Sequence, residues 1–405
     1  MLEHPLPDPA LWEYITIPLV AAFVGWFTNL VAIKMLFYPL EPWGRPPLLG
    51  WHGIIPSKAA KMGAITTDTT LSKLGTLEDI FGAMEPARLE AHLIQSISPR
   101  VEEYVEEIVQ EEKIGMWEML PGMMKSVVYA SVRQSLPRVV HRMVEEIGTH
   151  IDELVDLKEM VVQQVTAAPR IVNRIFLECG AREFQFIIRS GAYFGFGFGL
   201  LQALAWYFYQ GWWTLPLAGV VVGYATNWIA LRIVFQPVRP RRIGPWTLQG
   251  LFLKRQQEVS AIWCNIVTEE VLTVRILVEA MLTGSKSRRT QGIVRKHIRQ
   301  VVDEALGLTK PVVQLTVGLK EFQHLKETAS EKVLELTTHV FDDPQFNEER
   351  AQVIRAMMTS RMRALSAEEF QYLLRPAFQE EELKLILLGG VLGFLTGLLQ
   401  AWVML

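Results

Sequence analysis

Two polar dipeptides, Thr28-Asn29 and Thr226-Asn227, each interrupt a long apolar run. A carboxamide and a hydroxyl at mid-span cannot be left against hydrocarbon, because their donors and acceptors would go unpaired. Two chemistries fit. The pairs can hydrogen-bond one helix to its neighbour, worth roughly 0.6–2 kcal/mol per bond, which is the ordinary use. Alternatively they line a polar site or pathway at the membrane midplane. Lys34 and Arg232 follow close behind, near the end of each run. There a long side chain can snorkel to the surface and meet a headgroup or a substrate.

Little else in the chain could do chemistry. No P-loop, GxSxG elbow, HExxH or CxxC pattern is present, and the eight His residues do not cluster at ligand spacing. Cys179 and Cys264 are the two cysteines and have no metal or redox spacing. Neither a metal nor a cofactor is expected, and the chain reads as non-enzymatic. Asp342-Asp343 and the Glu runs at 102–112 and 380–382 read as solvated faces. The net charge of −3 argues against nucleic-acid binding.

The elements that must position these residues follow from charge segregation. Tyr14–Ile33, Ser190–Leu231 and Leu385–Leu405 contain no Lys, Arg, Asp or Glu. A span needs roughly 20 apolar residues, so the outer tracts hold one helix each and the middle tract two. Gln210-Gly211-Trp212-Trp213-Thr214-Leu215-Pro216 breaks the middle tract as a tight hairpin. Four spans are expected, at about 15–37, 187–208, 213–235 and 385–405. A secretory signal peptide is not expected, since the first 33 residues carry no Lys or Arg. All 40 Lys and Arg lie within 34–189 or 232–384. The positive-inside rule then puts both connecting regions in the cytoplasm, with the hairpin and both termini outside a cell (inner) membrane.

A shift of 198 residues superimposes the two halves. Residues 25–42 match 223–240 at seven of 18 positions, among them Gly25/Gly223, Thr28/Thr226, Asn29/Asn227 and Pro39/Pro237. Residues 191–203 match 389–401 at eight of 13. The chain therefore reads as two parallel tandem units, 1–198 and 199–405, related by an axis along the membrane normal. Gly191, Gly195 and Gly199 in the first exit span, and Gly389, Gly393 and Gly397 in the second, strip one helix face bare for close packing.

Between the spans, 64–183 and 255–383 read as helical, forming small bundles or extended hairpins. Ser98-Pro99 reads as a helix start, with Val101, Tyr104, Val105, Ile108 and Val109 on one face. A second helix is read from Pro137 and a third across 293–305. Residues 64–185 carry 12 basic and 20 acidic side chains, and 255–384 carry 18 and 19, so the two regions present different surfaces. Arg239, Arg241 and Arg242, with the weaker set Arg45, Lys58 and Lys61, lie among Trp43, Trp51 and Trp246. A basic cluster beside aromatic anchors attracts anionic headgroups. Membrane lipids are thus the expected partners, with protein partners and a homo-oligomer left open.

The entry segment Gly25-x-x-Thr28-Asn29-x-x-Ala32-Ile33-Lys34-Met35-Leu36-Phe37-x-Pro39, followed by Gly53-Ile54-Ile55-Pro56-x-Lys58, resembles that of domain of unknown function family 445. That group includes the YheB-like and YjiN-like bacterial membrane proteins. The exit segment from Leu388 to Gln400 is similar to its C-terminal span. The second copy, Gly250-Leu251-Phe252-Leu253-Lys254, lacks the proline of Gly-Ile-Ile-Pro. The resemblance implies a bacterial membrane protein and brings no activity or catalytic residue. The expected function is a helical scaffold or a lipid- and protein-interaction module at the cytoplasmic face. The alternative is a parallel-repeat transporter or channel, possible with so few spans only as an oligomer.

Overall fold

The computed structural model describes residues 9–45, 49–112, 115–209, 211–306 and 318–404. Gln210 of the expected hairpin and Leu405 at the end of the expected last span lie outside them, as do the side chains of Arg45 and Trp246. The described chain is all-α apart from two short β-hairpins. Contacts divide it into two compact units. One comprises 1–70, 165–266 and 361–405, and the other 71–164 and 267–360, so each draws on both halves of the chain.

The first unit is built on four long helices. Pro9–Phe37 is the first entry helix, Ala181–Phe208 the first exit helix, Thr214–Phe235 the second entry helix and Ala367–Met404 the second exit helix. Among the described residues, three stretches are long and apolar enough to cross a membrane: Tyr14–Phe37, Thr214–Phe235 and Glu382–Leu399. The first exit helix, where a further span is expected, falls outside that set. Its glycines, tyrosines, Arg189 and Gln202 dilute its apolar content.

Entry and exit helices of each half pack antiparallel. A Cβ built on Gly25 would overlap the carbonyl oxygen of Gly191, and one on Gly195 would overlap that of Ala21. Farther along, a Cβ on Gly199 would lie 2.6 Å from the Cα of Pro18. In the second half Gly219 meets Gly393, Gly223 meets Gly389, and Gly397 meets the backbone of Leu215 and Pro216 in the same way. Backbones this close admit no side chain between them, so dispersion acts along both chains at full contact. Ile17, Trp206, Leu215 and Ala401, one from each helix, form a buried cluster at the far end of the four.

Each entry helix ends in a cis-proline step, Tyr38–Pro39 or Gln236–Pro237, and then a hairpin. Trp43–Arg45 pairs with Leu49–Trp51, and Arg241–Ile243 with Trp246–Leu248. The second hairpin turns on Gly244-Pro245 with Gly244 at φ +61°, a conformation an L side chain resists. No strand was expected at these positions. Strands of three residues give too short an alternation to be read from sequence.

The second unit is a helical bundle from both halves. Gly122–Thr149 runs antiparallel to Ser287–Leu306, tied by Lys296 to Glu146 at 2.9 Å and by Arg289 to Glu153. Ile80, Leu93, Val144, Ile151, Leu154 and Ile354 are in its core. Two helix starts differ from expectation. The helix read from Pro137 begins at Gly122 and carries Pro137 inside it. Ser98 is right-handed helical and ends the preceding helix rather than capping a new one, and Ser98–Arg100 is a 3₁₀ turn leading into Val101–Glu111. The preceding helix Pro86–Ile97 runs into that turn, so no free end exists for Ser98 to cap.

Candidate intramembrane polar site

Both Thr-Asn pairs are fully buried. Thr28 Oγ1 donates to the Gly25 carbonyl at 3.3 Å and Thr226 Oγ1 to that of Gly223 at 3.3 Å, so each hydroxyl is spent on its own helix. The amides reach across. Asn29 Nδ2 donates to the Ile187 carbonyl at 2.8 Å, and Asn227 Nδ2 to that of Leu385 at 2.9 Å. The acceptors are themselves 198 residues apart. Small neighbours make room: a Cβ on Gly191 would stand 2.6 Å from Asn29 Nδ2, and one on Gly389 would overlap Asn227 Nδ2. Both Asn Oδ1 atoms are buried and accept no hydrogen bond from the described residues.

The entry helices also have their last carbonyls capped by side chains. Asn173 Nδ2 donates to the Phe37 carbonyl at 2.6 Å, and Gln371 Nε2 to that of Phe235 at 3.2 Å. A helix end leaves such carbonyls without an intrahelical donor, and a buried one must find another. Sequence comparison missed this pair because Asn and Gln are not identical. Only their shared carboxamide chemistry at the 198 offset could have pointed to them.

Near the same ends a cavity of about 40 Å³ is walled by Leu36, Ile55, Phe184, Ile187, Leu231, Val234, Phe235, Phe252 and Leu385, with Gly180 and two carboxylates, Glu183 and Glu382. Glu183 is buried and held by Arg255 at 2.5 Å. Burial opposes charge on Arg255, but bonds to Glu258 and Glu183 outweigh it and its pKa is raised. Glu258 is held below the usual carboxylate range by the same guanidinium. Glu382 lies 3.9 Å from Arg375. Burial drives the pKa of Cys179 upward, which leaves it an inert thiol.

The basic residues separate into two kinds. Arg239 pairs with Glu368 at 2.5 Å, which raises the pKa of the arginine and lowers that of the glutamate. Lys34, Arg189, Arg232, Arg241 and Arg242 are exposed. None of the five has a carboxylate partner among the described residues. Arg232 instead lies over the Trp228 ring at 4.4 Å. Among the described residues no group of three His, Cys, Asp or Glu could hold a metal ion.

Known proteins bear on this arrangement through short stretches. Over 74 residues, 18% of either chain, the sequence is 39% identical to a UPF0754 membrane protein of Microcystis aeruginosa. Over 108 residues it is 21% identical to UPF0754 membrane proteins of Staphylococcus aureus strains MRSA252 and JH9, covering 26% of this chain and 29% of theirs. The matches span less than a third of the length of these relatives. This chain is similar to membrane proteins, in keeping with its apolar helices. No family model matches it, and no solved structure does.

Proposed function

We propose that this chain is a non-enzymatic cell-membrane scaffold with four spans in two parallel tandem units, its connecting regions held at the cytoplasmic face to contact lipid and protein partners. The use of the polar pairs carries this reading. Each Asn amide is bonded to the neighbouring exit helix and sealed by glycine backbones, so it serves as a clasp rather than a binding surface. The first exit helix belongs with the spans on physical grounds. It lies against the first entry helix from Ile187 to Gly199, and a helix that close to a span shares its solvent. Likeness to bacterial UPF0754 membrane proteins supports the membrane setting, and the confinement of cations to 34–189 and 232–384 supports the orientation.

Purified chain in liposomes tests the role. Asn29→Leu combined with Asn227→Leu lowers stability or assembly and leaves ion and solute flux at the background level on the scaffold reading. Flux that is present in the parent and lost in a stably folded double variant would establish the transport reading instead.

A further inference from the structure

The first exit helix presents an outward stripe that begins with a cation. Arg189 is followed at helical spacing by Tyr193, Gly197, Leu200 and Leu204, with Tyr193 75% exposed and the two leucines exposed by more than half. A Cβ on Gly197 would meet nothing within 4 Å, so the stripe has a notch just beyond the tyrosine. Arg189 itself has no partner among the described residues. Contacts of Gly25 with Gly191 and of Ala21 with Gly195 set a register that puts Lys34 level with residue 182. Arg189 therefore stands seven residues, about 10 Å, deeper along the helix than Lys34. From Ser190 to Leu231 no charged residue follows.

On the four-span reading, on which this inference rests, that geometry puts an unpaired guanidinium on the lipid side, below the plane marked by Lys34 and Arg232. An arginine there reaches back toward the surface, and the group it meets is a phosphate, which accepts from its fork of N–H donors. We propose that Arg189 binds the phosphodiester of an anionic phospholipid, drawn down along the first exit helix with an acyl chain in the notch at Gly197. A lipid without a choline ammonium is favoured, because no second cation competes for the phosphate. The position equivalent to Arg189 in the second half is Leu387, so each chain has one such site rather than two.

Native mass spectrometry of the full chain, titrated with phosphatidylglycerol or phosphatidylcholine, tests the assignment. The parent should retain one phosphatidylglycerol that Arg189→Gln releases, with apparent affinity falling about fivefold. Arg189→Lys should keep most of the binding, and Arg288→Gln, which removes an exposed cation of the other unit, all of it. Unchanged phosphatidylglycerol retention in Arg189→Gln would overturn the proposal, as would displacement of the lipid by equimolar inorganic phosphate. A spin label on Tyr193→Cys separates the two levels of failure, since Cys179 and Cys264 are buried. A label that meets water-soluble relaxant rather than oxygen sinks the four-span reading. A label in lipid with unchanged lipid binding sinks only the role of Arg189.

Discussion

The side-chain amide of Asn29 donates to the carbonyl oxygen of Ile187 at 2.8 Å, across 158 residues of sequence. The bond joins the first entry helix to the first exit helix between two buried residues. Asn29→Leu removes the donor and also the orphaned Oδ1, so the loss is modest, about 0.6–1.7 kcal/mol. Asn29→Asp should cost more, because an unpaired carboxylate would then face a carbonyl. Thermal unfolding of the two variants in detergent gives the order directly.

Glycine at 191 permits that clasp. Gly191→Leu should separate the helices and cost about 3 kcal/mol or more through overpacking, with matching damage from Gly389→Leu. Gly197→Ala, where the added carbon meets nothing, should leave the melting temperature unchanged or slightly raised. Equal effects at 191 and 197 would show that backbone contact is not what the glycines provide.

Arg255 is the ion-pair partner of the buried Glu183 beside the cavity. Arg255→Met leaves that carboxylate buried alone and should cost about 3–5 kcal/mol. Replacing Glu183 by Gln in the same chain should recover part of the loss. A double-mutant cycle reads the coupling.

Glu146 gives the second unit an acid-sensitive joint. Its bonds to Lys296 and His297 hold its pKa below the ordinary carboxylate value of 4.5. A group depressed in the folded state contributes stability above its unfolded pKa, and the contribution is lost as pH falls through the folded one. The urea midpoint should therefore drop as pH falls below about 4.5, and Glu146→Gln should flatten that part of the profile.

Orientation is testable without purification. On the proposed topology, a cysteine at Ser285 is shielded from impermeant maleimide in intact cells, while one appended at either terminus reacts. The reverse pattern would remove the positive-inside argument for this chain.

The parts legible in sequence were those encoded by residue class over many positions. Charge-free tracts located the long helices. What escaped notice depended on fine geometry. The Asn173 and Gln371 caps differ in residue type, and the hairpins after Pro39 and Pro237 are too short for periodicity. The bundle drawing on both halves was out of reach, because amphipathic stripes such as Val140, Val144 and Ile147 name a buried face but not its partner. The Glu183–Arg255 pair was hidden for a related reason, as 72 residues separate the two charges in sequence.

The exit helices differ in continuity. The first is interrupted at Gly180, where Arg170–Cys179 gives way to Ala181–Phe208. The second runs unbroken for 38 residues from Ala367 to Met404, a shaft of about 57 Å. Tilting the upper part of that shaft must swing its lower end through a proportionate arc, whereas the jointed counterpart can absorb a tilt at Gly180. On the proposed four-span topology, a change in bilayer thickness would thus be felt on the inner side through one lever and damped at the other, turning a symmetric deformation into a lopsided one.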